Sequence, residues 1–90
     1  MDRIGLHIVT GDGPVLEQTV ESVNLPTAFG SIGILAGHAD MLCAVEAGVL
    51  RCRGSEGTVR IRVGKGVADV ADNEITVLVS AAEILEDAAE

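Results

Sequence analysis

The sequence predicts an all-β domain, an antiparallel sandwich or flattened barrel, on three observations. Apolar residues recur with a period of two, not 3.6. Turn signals built from Gly, Pro, Asn and Asp interrupt the chain at short intervals, the spacing of many short strands. Hydrophobic residues make up 48% of 90 residues, yet Phe29 is the sole aromatic, so the core must be made of Val, Ile, Leu, Ala and Met. A chain of this size buries only about 60 per cent of its extended surface, which makes that core small. It also leaves room for partner contacts to add stability.

Taken in order, Ile4, Leu6 and Ile8 alternate as a half-buried first strand, closed by the turn signal Gly11-Asp12-Gly13-Pro14. Asn24 to Thr27, with its Pro26, reads as a second turn. The stretch FGSIGILAGHADML, Phe29 to Leu42, reads as a flexible apolar loop in which Gly30, Gly33 and Gly37 permit positive φ and Ile32, Ile34 and Leu35 anchor. Gly54-Ser55-Glu56-Gly57 is a further turn, after which Val59, Ile61 and Val63 face one way and Arg60 and Arg62 the other. Gly64-Lys65-Gly66 reads as a hairpin turn with one exposed lysine, and Asp72-Asn73 as a turn before the alternating Ile75, Val77 and Val79. Only Ala81 to Glu90 has helical character, in a piece too short to be stable alone.

Charge and composition exclude several function classes. Fourteen acids against six bases give a net charge of −8, and Glu83, Glu86, Asp87 and Glu90 concentrate the acid at the end. Such a chain, with no basic stripe and no stacking aromatics, repels phosphate backbones and anionic lipid alike. No apolar run approaches the ~18 residues of a membrane span, and Met1-Asp2-Arg3 leads directly into a strand, so a soluble chain made in the cytoplasm is expected. Cys43 and Cys52 are expected to be small buried hydrophobes; a zinc site joining them to His7 and His38 lacks any ligand spacing that would support it.

No constellation carries chemistry. Lys65 is followed by Val67 after its glycine, not by Ser or Thr and a helix, so a phosphate loop is not indicated. A carrier domain modified at Lys65 remains an alternative, although the flanking residues that such carriers use are missing. His38 with Asp40 lacks a nucleophile, since Ser31 and Ser80 sit in ordinary loop and strand contexts. The expectation is a non-enzyme with no cofactor and no metal.

Leu25-Pro26 followed by the ordered run Phe29 to Leu42 resembles the epsilon subunit of F-type ATP synthases, delta in mitochondria, whose usual form runs roughly LPG-x-x-G-E-x-G-I-L-P-G-H-A-P-L-L. The likeness extends to Leu6-His7-Ile8-Val9-Thr10, to Gly48-Val49-Leu50-Arg51, to a glycine-rich hairpin over Val63 to Val70, and to Asn73-Glu74-Ile75-Thr76-Val77-Leu78, covering nearly the whole chain. It implies a ten-stranded β-sandwich over residues 1–82 with an acidic tail over 83–90. It also implies a non-catalytic place at the foot of the central stalk, held to the energy-transducing membrane through the complex on its cytoplasmic face.

Two partners follow from the resemblance. Phe29, Gly30, Ser31, Ile32 and Gly33 would face the loops of the c-ring, while Gly37, His38, Ala39, Asp40 and Met41 would touch the gamma subunit. The isolated chain is expected to be a monomer. Three residues depart from the family pattern: Ser31 stands where an acid is common, and Ala36 and Asp40 replace prolines, loosening the loop through unfolded-state entropy. Relatives continue into a helical hairpin that brakes ATP hydrolysis; with Glu90 as a natural end, the chain would couple without that brake, and as a fragment it would leave regulation unjudged. An unrelated β-sandwich interaction module is the remaining alternative.

Overall fold

The computed structural model describes residues 3–85. Ten strands follow one another: β1 (Ile4–Thr10), β2 (Gly13–Val20), β3 (Ser22–Thr27), β4 (Gly30–Leu35), β5 (Met41–Val45), β6 (Gly48–Gly54), β7 (Gly57–Val63), β8 (Gly66–Ala71), β9 (Glu74–Val79) and β10 (Ala82–Ile84). They form two five-stranded sheets, the first in the order β2-β1-β9-β8-β5 and the second in the order β10-β7-β6-β3-β4. The period of two decides which side chains fill the space between them.

On the first sheet Ile4, Leu6, Ile8, Ala68, Val70, Ile75, Val77 and Val79 point inward; on the second Val23, Leu25, Ile34, Leu50, Cys52, Ile61 and Val63 meet them. All are buried, and no polar or charged residue among those described is buried with them. Each buried Val, Leu or Ile side chain contributes roughly 1.5–3 kcal/mol by leaving water, which is how a core without a single ring suffices. Phe29 stands outside it.

The two sheets are stitched by alternating tight hairpins and crossings. Hairpins join β1 to β2, β3 to β4, β6 to β7 and β8 to β9, and the chain changes sheet at Glu21, across 36–40, at 46–47, at 64–65 and at 80–81. Asp72 and Asn73 take φ of 53° and 61°, the left-handed pair that a two-residue hairpin requires. Between Ile8 and Val9 the register slips so that Val15 is the extra residue on β2.

Several sequence expectations are corrected. Gly64-Lys65-Gly66 is not a hairpin but a crossing from β7 to β8, pinned by Gly64 N donating to Ala81 O (2.9 Å) and Ser80 N donating to Lys65 O (2.9 Å). A Cβ at Gly66 would overlap the Leu78 carbonyl oxygen, so this crossing runs against β9 without a side chain between them. Asn24 to Thr27 is strand, not turn: Pro26 is accommodated because β6 pairs β3 only from Ser22 to Asn24, so no ladder bond is missing at the proline.

The glycine-rich stretch is likewise mostly strand, β4 and the start of β5 around a short loop, and Gly33 lies in extended backbone; positive φ occurs at Gly30 (103°) and Gly37 (84°). The helical reading of Ala81 to Glu90 fails where it is visible, since Ala82 pairs with Val63 and Ile84 with Ile61 as strand. The expected boundary after residue 82 falls inside β10, and residues 86–90 lie outside those described. One pair also departs from an all-antiparallel ladder. β1 and β9 run parallel in the middle of the first sheet, because the chain travels through the second sheet before it returns beside its own start.

Candidate functional site

The glycine-rich segment lies along an open side of the sandwich. β4 pairs only with β3 and β5 only with β8, so the two are edge strands of opposite sheets, and residues 36–40 cross between them. Ala28 and Phe29 form the tip of the β3–β4 hairpin, where Thr27 Oγ1 donates to Gly30 O (2.7 Å) and accepts from Phe29 N (3.1 Å). That tight tip leaves Phe29 99% exposed. Among the described residues its ring buries against nothing, so it takes no part in the core. Gly30, Ser31 and Gly33 are exposed and Ile32 half-buried.

At the other end of β4 the loop is held by three hydrogen bonds. Gly37 N donates to Asn73 Oδ1 (2.7 Å), His38 N donates to Leu35 O (3.1 Å), and His38 Nδ1 lies 2.7 Å from Ala39 O, to which it donates. Ala39 and Asp40 are exposed, His38 and Met41 half-buried. Phe29 and the 37–41 group therefore lie at opposite ends of β4, whose six residues span about 20 Å, while Gly30 to Gly33 belong to the strand itself. The Phe29 end is shared with Glu46, whose N–H donates to Pro26 O (3.0 Å), and with Lys65, 4.0 Å from the Glu46 carboxylate.

A family model described as the β-sandwich domain of the ATP synthase delta/epsilon chain matches residues 3–85. The chain belongs to that family. The chloroplastic ATP synthase epsilon chain of Cyanidioschyzon merolae is 41% identical over 78 residues, which are 87% of this chain and 60% of that one. The epsilon chain of Bacillus pumilus is 37% identical over 83 residues, 92% of this chain and 63% of that one. The delta/epsilon chain described above thus spans about three-fifths of the length of these relatives.

Among solved structures, a chain of the Euglena gracilis mitochondrial ATP synthase (OSCP/F1/c-ring) superposes with a TM-score of 0.86 at 23% identity, over 93% of this chain and 54% of that one. A chain of the Tetrahymena thermophila mitochondrial ATP synthase central stalk and c-ring gives 0.72 at 17% identity, over 89% and 65%. These two likenesses establish the fold of the delta/epsilon sandwich.

The delta/epsilon sandwich also carries a feature that the sequence did not signal on inspection. Cross-strand register lines up Val9, Leu78, Val67 and Ala44 in one row across β1, β9, β8 and β5 on the outward face of the first sheet. Leu78 is 50% and Val67 44% exposed, and Leu42 next to the row on β5 is 72% exposed. The signal was present as apolar residues at outward positions of alternating strands, but the row exists only once the strands are paired.

The remaining candidates are dispersed. Cys52 is buried on the second sheet, whereas Cys43 is half-buried on β5, where burial pushes its thiol pKa up. His7 lies on the outer face of β1, with Nε2 2.7 Å from Glu74 Oε1 and Nδ1 3.9 Å from Glu17 Oε2. Among the described residues no group of three His, Cys, Asp or Glu side chains is arranged to hold a metal.

Proposed function

We propose that this delta/epsilon chain is a non-catalytic central-stalk subunit of a rotary F-type ATP synthase, joining the gamma subunit to the c-ring so that ion translocation drives ATP synthesis. The observation that carries the reading is that the exposed Phe29 and the 37–41 loop lie at opposite ends of one strand, in the chain's glycine-rich motif. A subunit that couples by contact needs two surfaces and a stiff body between them. A two-layer sandwich with a dry aliphatic core supplies that body, since close-packed interiors transmit strain instead of absorbing it.

In this reading Phe29 and the backbone of Gly30 to Gly33 engage polar loops of the c-ring. Ser31 offers a hydroxyl where an acid is usual, so this contact leans on apolar area and backbone hydrogen bonds, not on a salt bridge. Gly37 to Met41, together with the apolar row and Leu42 beside it, engage gamma, and the row supplies the desolvated centre that a stable interface needs. The chain reaches the membrane surface only through these partners, on the side where the catalytic head lies.

The alternative carrier reading is disfavoured by position, because Lys65 sits in a sheet crossing beside Glu46 and not at a protruding hairpin tip. The test is a pull-down with purified gamma subunit from the same source. Saturable binding is expected, weakened at least about tenfold by Leu42→Glu, a change at an exposed site that leaves the fold intact. Absence of binding by folded wild-type chain would overturn the stalk reading.

A further inference from the structure

Strand pairing gathers four of the chain's six cations onto one surface. On the outward face of the second sheet Arg51 of β6 lies directly opposite Arg60 of β7, with Arg53 one step along β6 and Arg62 one step along β7. Arg51, Arg53 and Arg62 are exposed and Arg60 is half-buried. Like charges facing each other across a ladder are destabilising, and here they are concentrated in a chain of net charge −8. Among the described residues Arg62 is answered by Glu83, Nη1 to Oε1 at 3.2 Å, whereas Arg51 and Arg53 make no ion pair.

We propose that this arginine face docks an acidic polypeptide segment of a neighbouring subunit, one with carboxylates on alternate residues. The proposal rests on the stalk reading only in that it requires the chain to sit in a multi-subunit assembly. Arginines two apart on a strand are spaced by about 6.6 Å, the repeat of side chains on one face of another extended strand. Guanidinium groups take carboxylates in paired, planar hydrogen bonds, and Asn24 opposite Arg51 and Ser22 opposite Arg53 add neutral hydrogen-bonding groups beside them. A nucleic acid is the poorer match: the molecule as a whole repels phosphate, and no aromatic side chain stands on this face to stack a base. The face is also turned away from the apolar row on the other sheet, so both surfaces are available at once.

The experiment uses the assembled synthase carrying R53K in this subunit. Carbodiimide joins an amine only to a carboxylate in contact, and Lys65 is the sole lysine among these 90 residues, so a cross-link mapped to position 53 reports on the amine that R53K introduces. The expected result, read by mass spectrometry, is a cross-link from position 53 to an Asp or Glu of another subunit, lost when R51E is added. R51E replaces a repulsive facing pair by an attractive one and keeps the fold. Cross-links confined to this chain's own carboxylates, such as Glu56, Glu86 or Asp87, overturn the proposal by making the face self-covered. Co-purification with the synthase but no cross-link at position 53 overturns it equally. Failure of the wild-type chain to co-purify overturns the stalk reading itself, and the docking with it, by a separate readout.

Discussion

Asn73 carries three duties at once. Its backbone holds φ 61°, its carbonyl accepts from Gly5 N (2.9 Å) and its Oδ1 accepts from Gly37 N (2.7 Å). Asn73→Gly keeps the backbone conformation and loses the side-chain bond, so a cost of about 1 kcal/mol is expected. Asn73→Ala adds the left-handed penalty, for about 2–3 kcal/mol in all, and urea titrations of the two variants separate the contributions. Faster amide exchange at Gly37 is expected in both. The turn at 72–73 was legible from its residue types; its tie to Gly37, 36 positions away, was not, because no local pattern reports a long-range side-chain bond. Cys43 gives a second residue-scale test. Its thiol holds its proton above the usual thiol range because burial penalises the thiolate. The unfolded chain therefore ionises first: the contribution is complete below the unfolded thiol pKa and is lost as pH rises through the folded one. Denaturation midpoints should fall with pH across the alkaline range, and more gently in Cys43→Val.

Strands with clean alternation, β1, β7 and β9, were legible because one face is dry and the other wet. β2 was not, since the bulge at Val15 breaks its period and most of its side chains are exposed or half-buried. Sheet membership was not legible either, and Gly64-Lys65-Gly66 shows why: hairpins and crossings draw on the same turn chemistry, and only the hydrogen bonds to Ala81 and Ser80 tell them apart. The crossing is tightly built. Gly66→Ala must push β8 away from the Leu78 carbonyl, and a destabilisation of about 1–3 kcal/mol, read as a lower urea midpoint with an unchanged slope, is expected. β3 and β4 illustrate the opposite error, in which Pro and Gly read as loop although Pro26 lies beyond the stretch of β3 paired with β6 and the glycines lie on the edge strand β4.

For the whole molecule, the motif from Phe29 to Leu42 was enough to indicate the family, while the division into two ends and two differently coloured faces needed the paired sheets. The dry core sets the mechanical limit. Leu6→Ala on the central β1 should cost about 2–5 kcal/mol, and at this chain length each kcal/mol lowers the melting temperature by roughly 4–8 °C, which scanning calorimetry reads. Phe29→Ser should leave that temperature within about 0.5 kcal/mol equivalent of wild type, because the ring touches no core residue. The parallel pairing of β1 with β9 has a kinetic side. In a nascent chain β1 finds β2 at once, but its other edge stays open until Val79 has left the ribosome. Pairing between such distant segments is slow to close, and an unpaired edge invites other chains meanwhile. Synthesis must run almost to the last strand before the first sheet can shut, so translation speed and chaperone cover over β3 to β8 govern the yield of native protein.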